Sequence, residues 1–167
     1  MTKILSIIAP EGYQDIEYNN SKIALEANGH IVVTASTKKE AHGKYGGIKD
    51  VDILLKDVKP NDYDAILFIG GPGSHMYFDD PLAHKLAKKF LKSKKLVTAI
   101  CAAPSILANA GLLNGVKTTC FGGQIDNLKA HGAIFTGKTV EKDGLIITAD
   151  GPSSATEFGK KISEALS

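Results

Sequence analysis

A thiol, a carboxylate and a pair of glycines carry the chemistry this sequence could perform. Cys101 stands where the apolar run Leu96-Val97-Thr98-Ala99-Ile100 stops. Ala102-Ala103-Pro104-Ser105 follows, and a helical pattern resumes at Ile106-Leu107-Ala108. A buried strand, a tight turn and a helix put a nucleophile on a sharp corner, as in a nucleophile elbow. The N–H groups and positive dipole end of such a helix favour thiolate over thiol, so the spacing predicts a depressed Cys101 pKa. A cysteine at a strand end is otherwise just a small buried hydrophobe, so the assignment depends on its neighbours. Gly70-Gly71-Pro72-Gly73 follows a second apolar run. It matches neither the P-loop nor the dinucleotide fingerprint. Beside a nucleophile, however, its exposed N–H groups can hold an oxyanion, with Gly71 and Ala102 as the natural pair of donors. Glu17 lies in the first turn of a predicted helix, where it can point into the same crevice. A protonated carboxyl there donates a hydrogen bond to a thiolate. His75, just past the glycine turn, is a candidate accessory imidazole in the same loop cluster, with Gly70 and Gln14 as further candidates.

The elements that must position these residues follow a regular alternation. Residues 4–9 (ILSIIA) read as a strand buried on both faces, and residues 10–13 as a loop. A helix starts at Asp15, with Ile16, Ile23, Ala24 and Ala27 on one face, and ends at Asn28-Gly29. Residues 31–35 form the next strand. Residues 38–60 are rich in lysine and glycine and read as an excursion off the main sheet, a small hairpin. Residues 64–69 and 96–100 are further strands, separated by a helix that opens with Asp80 as N-cap and Pro81 behind it. Its stripe is Leu82, Leu86 and Phe90. Residues 116–120 read as another strand, followed by a short helical piece near 125–128 and a hairpin around Asp143-Gly144. Ser154 and Glu157 have capping-box spacing for a last helix with stripe Phe158, Ile162 and Leu166. The pattern predicts one α/β domain over residues 1–167, doubly wound, with a mostly parallel sheet and helices on both faces. In such sheets ligands bind beyond the carboxyl ends of the strands, where the three loops above converge.

Composition narrows the functions. The chain has 167 residues and a net charge of +2, too little to indicate nucleic acid or an anionic membrane as partner. All 20 of its Lys and Arg positions are lysine, so no guanidinium clamp on phosphate or carboxylate is available. Two cysteines without a CxxC pair argue against a thiolate zinc site and against a disulfide framework. Met1-Thr2-Lys3 runs straight into a strand with no signal-like apolar region, and no apolar run approaches the ~20 residues of a membrane span. A cytoplasmic chain without metal or cofactor is expected.

The stretches AICAAPSILANAGLLNG, FIGGPG and EKDGLIITADGPSSATEF together resemble the DJ-1/PfpI family, on its DJ-1-like branch, over nearly the whole chain. The resemblance implies a flavodoxin-like fold, a homodimer and a reactive nucleophile at Cys101. It also implies that Glu17 is the acid bonded to that nucleophile and that Gly71 and Ala102 are the backbone donors around the sulfur. Gln14, in the stretch QDIE, replaces the first acid of the family's loop. The protease-named branch has a histidine directly after the nucleophile, where this chain has Ala102; a peptidase or amidase is therefore disfavoured. Phe121 stands at the position matching a histidine of DJ-1 and cannot shuttle protons. Class I glutamine amidotransferases need a downstream His-x-Glu pair, but His131 is followed by Gly132-Ala133. Two activities stay open. One is glyoxalase- or deglycase-like chemistry on a small-molecule carbonyl in stress protection. The other is a redox-sensing or chaperone-like role in which peroxide oxidises Cys101.

Overall fold

Short runs of Ile, Val, Leu and Ala have nowhere to go but between two layers of helices, and they build the sheet that carries the site. The computed structural model describes residues 2–167. Its first half comprises β1 (Lys3–Ile7), β2 (Glu11–Tyr13), α1 (Asp15–Ala27), β3 (Ile31–Ser36), β4 (Glu40–Gly43), β5 (Ile48–Asp50), β6 (Ile53–Leu54) and β7 (Ala65–Phe68). Then come α2 (Pro81–Lys92), β8 (Leu96–Ile100), α3 (Pro104–Asn109), β9 (Lys117–Thr118) and α4 (Ile125–Ala130). The chain closes with β10 (Ile134–Phe135), β11 (Val140–Asp143), β12 (Ile146–Ala149) and α5 (Ala155–Leu166).

The main sheet has seven strands in the order β11-β12-β8-β7-β1-β3-β6. All neighbours pair in parallel except β11 with β12. Counted along the chain, the five central strands run 2-1-3-4-5, the flavodoxin-like doubly wound order. The strand order reverses between β1 and β7, so the crevice for a ligand opens beyond the ends of these two strands and of β8. One apolar layer joins Phe68, Phe90, Ile106, Leu107 and Leu128 beneath α2, α3 and α4. The other joins Ile4, Tyr18, Leu25, Phe158 and Ile162 beneath α1 and α5.

The structure corrects several sequence expectations. The loop at residues 10–13 contains β2, which pairs in parallel with β4. The lysine-rich excursion does hold an antiparallel hairpin, β4 and β5, but Ile53–Leu54 returns to the main sheet and pairs with β3 at its edge. Of residues 116–120 only Lys117–Thr118 pair in a ladder, with β10. Beyond them the backbone donors go elsewhere: Thr119 N–H donates to Thr148 Oγ1 at 2.9 Å and Phe121 N–H to the Cys101 carbonyl at 2.8 Å. The capping box of the last helix does not form. Ser154 Oγ donates to Asp150 Oδ1 at 2.6 Å instead, and Glu157 accepts from the Thr139 hydroxyl.

The largest correction concerns α1. Ile16 is 46 % exposed and Ile23 64 %, so the face they share with Ala27 looks outward. The buried face carries Glu17, Tyr18, Ser21, Ala24 and Leu25. Close helix packing accounts for this choice. A Cβ on Gly159 of α5 would come within 2.8 Å of the Ala24 Cβ and 2.9 Å of the Ser21 carbonyl. Small residues let the two helices approach at this point, and larger Ile side chains would hold them apart. The α2 expectation holds: the Ala83 N–H donates to the Asp80 carboxylate at 3.0 Å, with Pro81 in the first turn.

Candidate active site

Three loops at the carboxyl ends of β1, β7 and β8 bring Glu17, Gly70, Gly71, Cys101 and Ala102 together. Cys101 has φ of 64°, one of two non-glycine residues in the left-handed region among the described residues. For a residue with a side chain this conformation costs on the order of 1–3 kcal/mol, and it persists only where surrounding contacts over-determine it. Here they do. The Cys101 N–H donates to the Ala149 carbonyl at 2.9 Å, and its carbonyl accepts from Phe121 N–H at 2.8 Å. The Ala103 N–H closes the turn onto the Ile100 carbonyl at 3.0 Å.

Glu17 is completely buried. Gln14 puts it there: the side-chain carbonyl of Gln14 caps α1, accepting from Ile16 N–H at 2.7 Å and Glu17 N–H at 3.1 Å. The Gly70 N–H donates to Glu17 Oε1 at 2.9 Å. Oε2 has no hydrogen-bond partner that meets ordinary geometry, although the Cys101 thiol interacts with the carboxyl. Gly70 is wedged between acid and nucleophile. A Cβ there would lie 2.6 Å from Glu17 Oε1, 2.7 Å from Cys101 Cβ and 2.7 Å from the Ile100 carbonyl. Gly71 has φ of 98°, and a Cβ on it would lie 2.6 Å from Gln14 N, so only glycine makes this turn.

The electrostatics depart from the sequence expectation. Burial, then the Glu17 charge and hydrogen bond, push the Cys101 thiol up to about 12 rather than down. The N–H groups of Ala102 and Gly71 bond the sulfur and oppose the rise without overcoming it. The helix contributes little because α3 starts only at Pro104, is six residues long, and its first residue has no N–H. Burial also raises Glu17 to about 7, against the lowering effect of Cys101 and of the Gly70 N–H. The site therefore holds a thiol beside a carboxyl group poised to gain or lose a proton near neutrality.

A cavity of about 380 Å³ opens onto the sulfur. His75 and Phe121 line it, and so do Gln14, Gly71 and Ala102. His75 stacks on Phe78 with ring centroids 4.4 Å apart. Lys44 and Tyr45, from the tip of the β4–β5 hairpin, and Pro152 also line the cavity, and none of the three was singled out from the sequence. The signal available for the first two was the glycine set Gly43, Gly46 and Gly47 bracketing a cation and an aromatic. Among the described residues no group of three or more His, Cys, Asp or Glu side chains is placed to hold a metal ion.

The model of the DJ-1/PfpI family matches residues 2–165. The chain belongs to that family. An uncharacterized protein of Methanocaldococcus jannaschii is 38 % identical over 168 residues, spanning 98 % of this chain and 82 % of its own length. The crystal structure of a ThiJ/PfpI domain protein from Brachyspira murdochii superposes with a TM-score of 0.96 at 33 % identity, covering 98 % of this chain and 95 % of that one. An oxidized DJ-1 from Toxoplasma gondii superposes at 0.90 with 30 % identity, covering 99 % and 91 %. No helix among the described residues is long and apolar enough to cross a membrane.

Proposed function

We propose that this DJ-1/PfpI member is a cofactor-independent enzyme that adds Cys101 to reactive carbonyl compounds. The observation that carries the reading is a buried carboxyl with a pKa near 7, against the sulfur and beside two backbone donors. As Sγ attacks a carbonyl carbon, the thiol proton moves to the Glu17 carboxylate. The C=O π pair goes to oxygen, which the Gly71 and Ala102 N–H groups stabilise. Glu17 then returns the proton to that oxygen, leaving a neutral hemithioacetal. With a 2-oxoaldehyde, the hydrogen on the sulfur-bearing carbon moves to the neighbouring carbonyl carbon and the hydroxyl proton passes to that carbon's oxygen, giving a 2-hydroxy thioester. Water then breaks the carbon–sulfur bond, releasing the hydroxy acid and the Cys101 thiol. Methylglyoxal plus water thus becomes lactate. Phe121, 52 % exposed at the cavity wall, offers no proton relay, so the turnover is slow. The test is lactate formation from methylglyoxal with chelator present, comparing wild type with Cys101→Ala. Turnover confined to the wild type supports the reading, and turnover surviving in the variant overturns it.

A second reading rests on the same geometry. The partner-poor Glu17 Oε2 and the two N–H groups suit the oxygens of a sulfinate on Cys101, and one structural relative is an oxidized DJ-1. Graded peroxide followed by peptide mass spectrometry separates the two thiols: sulfinate at Cys101 ahead of Cys120 supports this role, and equal oxidation removes it.

We also infer that the chain acts as a homodimer. The outward Ile16 and Ile23 of α1 and the 69 % exposed Ile48 of the hairpin are apolar surface suited to a second copy. Sedimentation at micromolar concentration is expected to show twice the 17.7 kDa chain mass. A single-chain species only would exclude the dimer.

A further inference from the structure

The hairpin tip over the cavity is held more firmly than its sequence suggests. Asp15, at the first position of α1 and 8 % exposed, turns its carboxylate into the tip. It accepts from Tyr45 N–H at 2.9 Å and from Gly47 N–H at 2.8 Å. Gly43 N–H donates to the Gly47 carbonyl at 2.8 Å, and Lys44 N–H donates to the Tyr13 carbonyl at 2.8 Å. A Cβ on Gly43 would collide with the Asp15 carboxylate, and one on Gly47 would lie 2.6 Å from it. The two glycines therefore exist to let the carboxylate in. This clamp fixes the Lys44 backbone against Tyr13, four residues before Glu17 in the chain.

The Lys44 side chain lines the cavity over Cys101. Among the described residues no carboxylate lies within ion-pair distance of it. Its ammonium sits 5.3 Å from the ring centroid of Tyr45. The cavity lining includes no Asp or Glu, and Lys44 is its one lysine. The wall therefore carries positive charge, and the one acid of the site, Glu17, is buried behind Gly70. Such a wall concentrates anions near the sulfur and repels cations.

From this juxtaposition we infer that the Asp15-clamped hairpin tip is a specificity element, and that Lys44 selects electrophiles bearing a carboxylate close to the reacting carbon. The inference rests on the proposed reactivity of Cys101 and names the substrate class of that site: an anionic aldehyde or 2-oxoaldehyde in preference to a neutral one. Lys44 guides and holds the carboxylate, while the chemistry at sulfur is unchanged.

Two alkylating probes of nearly equal size test it, iodoacetate and iodoacetamide. Each reacts in the same way: the sulfur–carbon bond forms, iodide leaves and the thiol proton passes to the Glu17 carboxylate or to solvent. Rates at Cys101 are read by peptide mass spectrometry on wild type, Lys44→Gln and, as a charge-matched control outside the cavity lining, Lys38→Gln. The iodoacetate-to-iodoacetamide rate ratio is expected to fall on the order of fivefold in Lys44→Gln, the scale of one charge–charge contact at ~4 Å in water. It should stay at the wild-type value in Lys38→Gln, and the Lys44 effect should shrink in 1 M salt. A ratio that is the same in all three proteins, or that falls equally in both variants, overturns the inference while leaving Cys101 reactive. Failure of Cys101 to react with either reagent in the wild type overturns the proposed chemistry and this inference with it.

Discussion

Cys101 and Cys120 are both buried, 8 % and 4 % exposed, and in both the thiol is pushed up to about 12. They differ in everything else. Burial alone raises Cys120, which packs in the layer under α2, α3 and α4. Cys101 packs in the opposite layer, sits at left-handed φ, and has a carboxyl and two N–H groups on its sulfur. In the chemistry proposed for Cys101, reactivity is therefore not a property of the thiol's own acidity. It would come from a neighbour that takes the proton at the moment of attack and from donors that receive the charge created.

The comparison breaks most visibly on deletion. Cys101→Ala should reduce methylglyoxal turnover to background, a loss on the order of 10³-fold or more, whereas Cys120→Ala should keep it within about twofold. Comparable losses in both would mean that Cys120 is also part of the machinery. Removing the acid comes next. The Glu17→Gln variant should lose on the order of 10²-fold in rate, the scale of a general base. The wild-type rate should rise as pH passes the Glu17 value of about 7, because only the carboxylate accepts a proton. That step should be missing in Glu17→Gln. Maximal activity well below pH 7 would show instead that the proton rests on Glu17 and the sulfur is already a thiolate. A smaller gain is expected from Phe121→His, about tenfold, a fraction of the ~10²–10⁴ available to general acid–base catalysis. An unchanged rate would show that proton delivery from that wall does not limit turnover.

The smallest effect is on stability. Glu17 titrates near its ordinary 4.5 when unfolded and near 7 when folded. Between these values the folded chain binds more protons, so stability falls as pH rises from about 4.5 to 7. The span corresponds to about 3 kcal/mol. Glu17→Gln keeps an acceptor for Gly70 N–H and carries no charge. It should therefore match the wild type near pH 4.5 and exceed it at pH 8 in chemical denaturation. Parallel curves at the two pH values would remove the buried charge from the account.

How much of this could be read from residues alone follows from where the determining interactions lie. The strand ending at Ile100, the glycine turn after Phe68 and the helix carrying Glu17 are each local patterns, and the doubly wound order brings their ends together. The Cys101 pKa departs from the local pattern because desolvation and the Glu17 charge are tertiary, while the helix that would oppose them is short and begins with proline. On α1 the apolar periodicity of Ile16 and Ile23 pointed the wrong way, because close contact with Gly159 of α5 selects Ser21 and Ala24 for the buried face. Its glycine neighbours aside, nothing in the local sequence of the lysine- and glycine-rich excursion sets Lys44 apart from its other lysines. The clamp from Asp15, 29 positions earlier in the chain, holds the tip that places it in the cavity lining.

Gly70 sets the spacing of acid and nucleophile by what it lacks. No side chain can be inserted there without driving Glu17, Cys101 or the end of β8 aside. Mutation can therefore explore this site from one side only. The acid–thiol spacing is frozen against drift, while the opposite wall, made of an exposed hairpin tip and Phe121, is free to change. New substrates would be acquired there, in a lineage that keeps its reaction and trades its clientele.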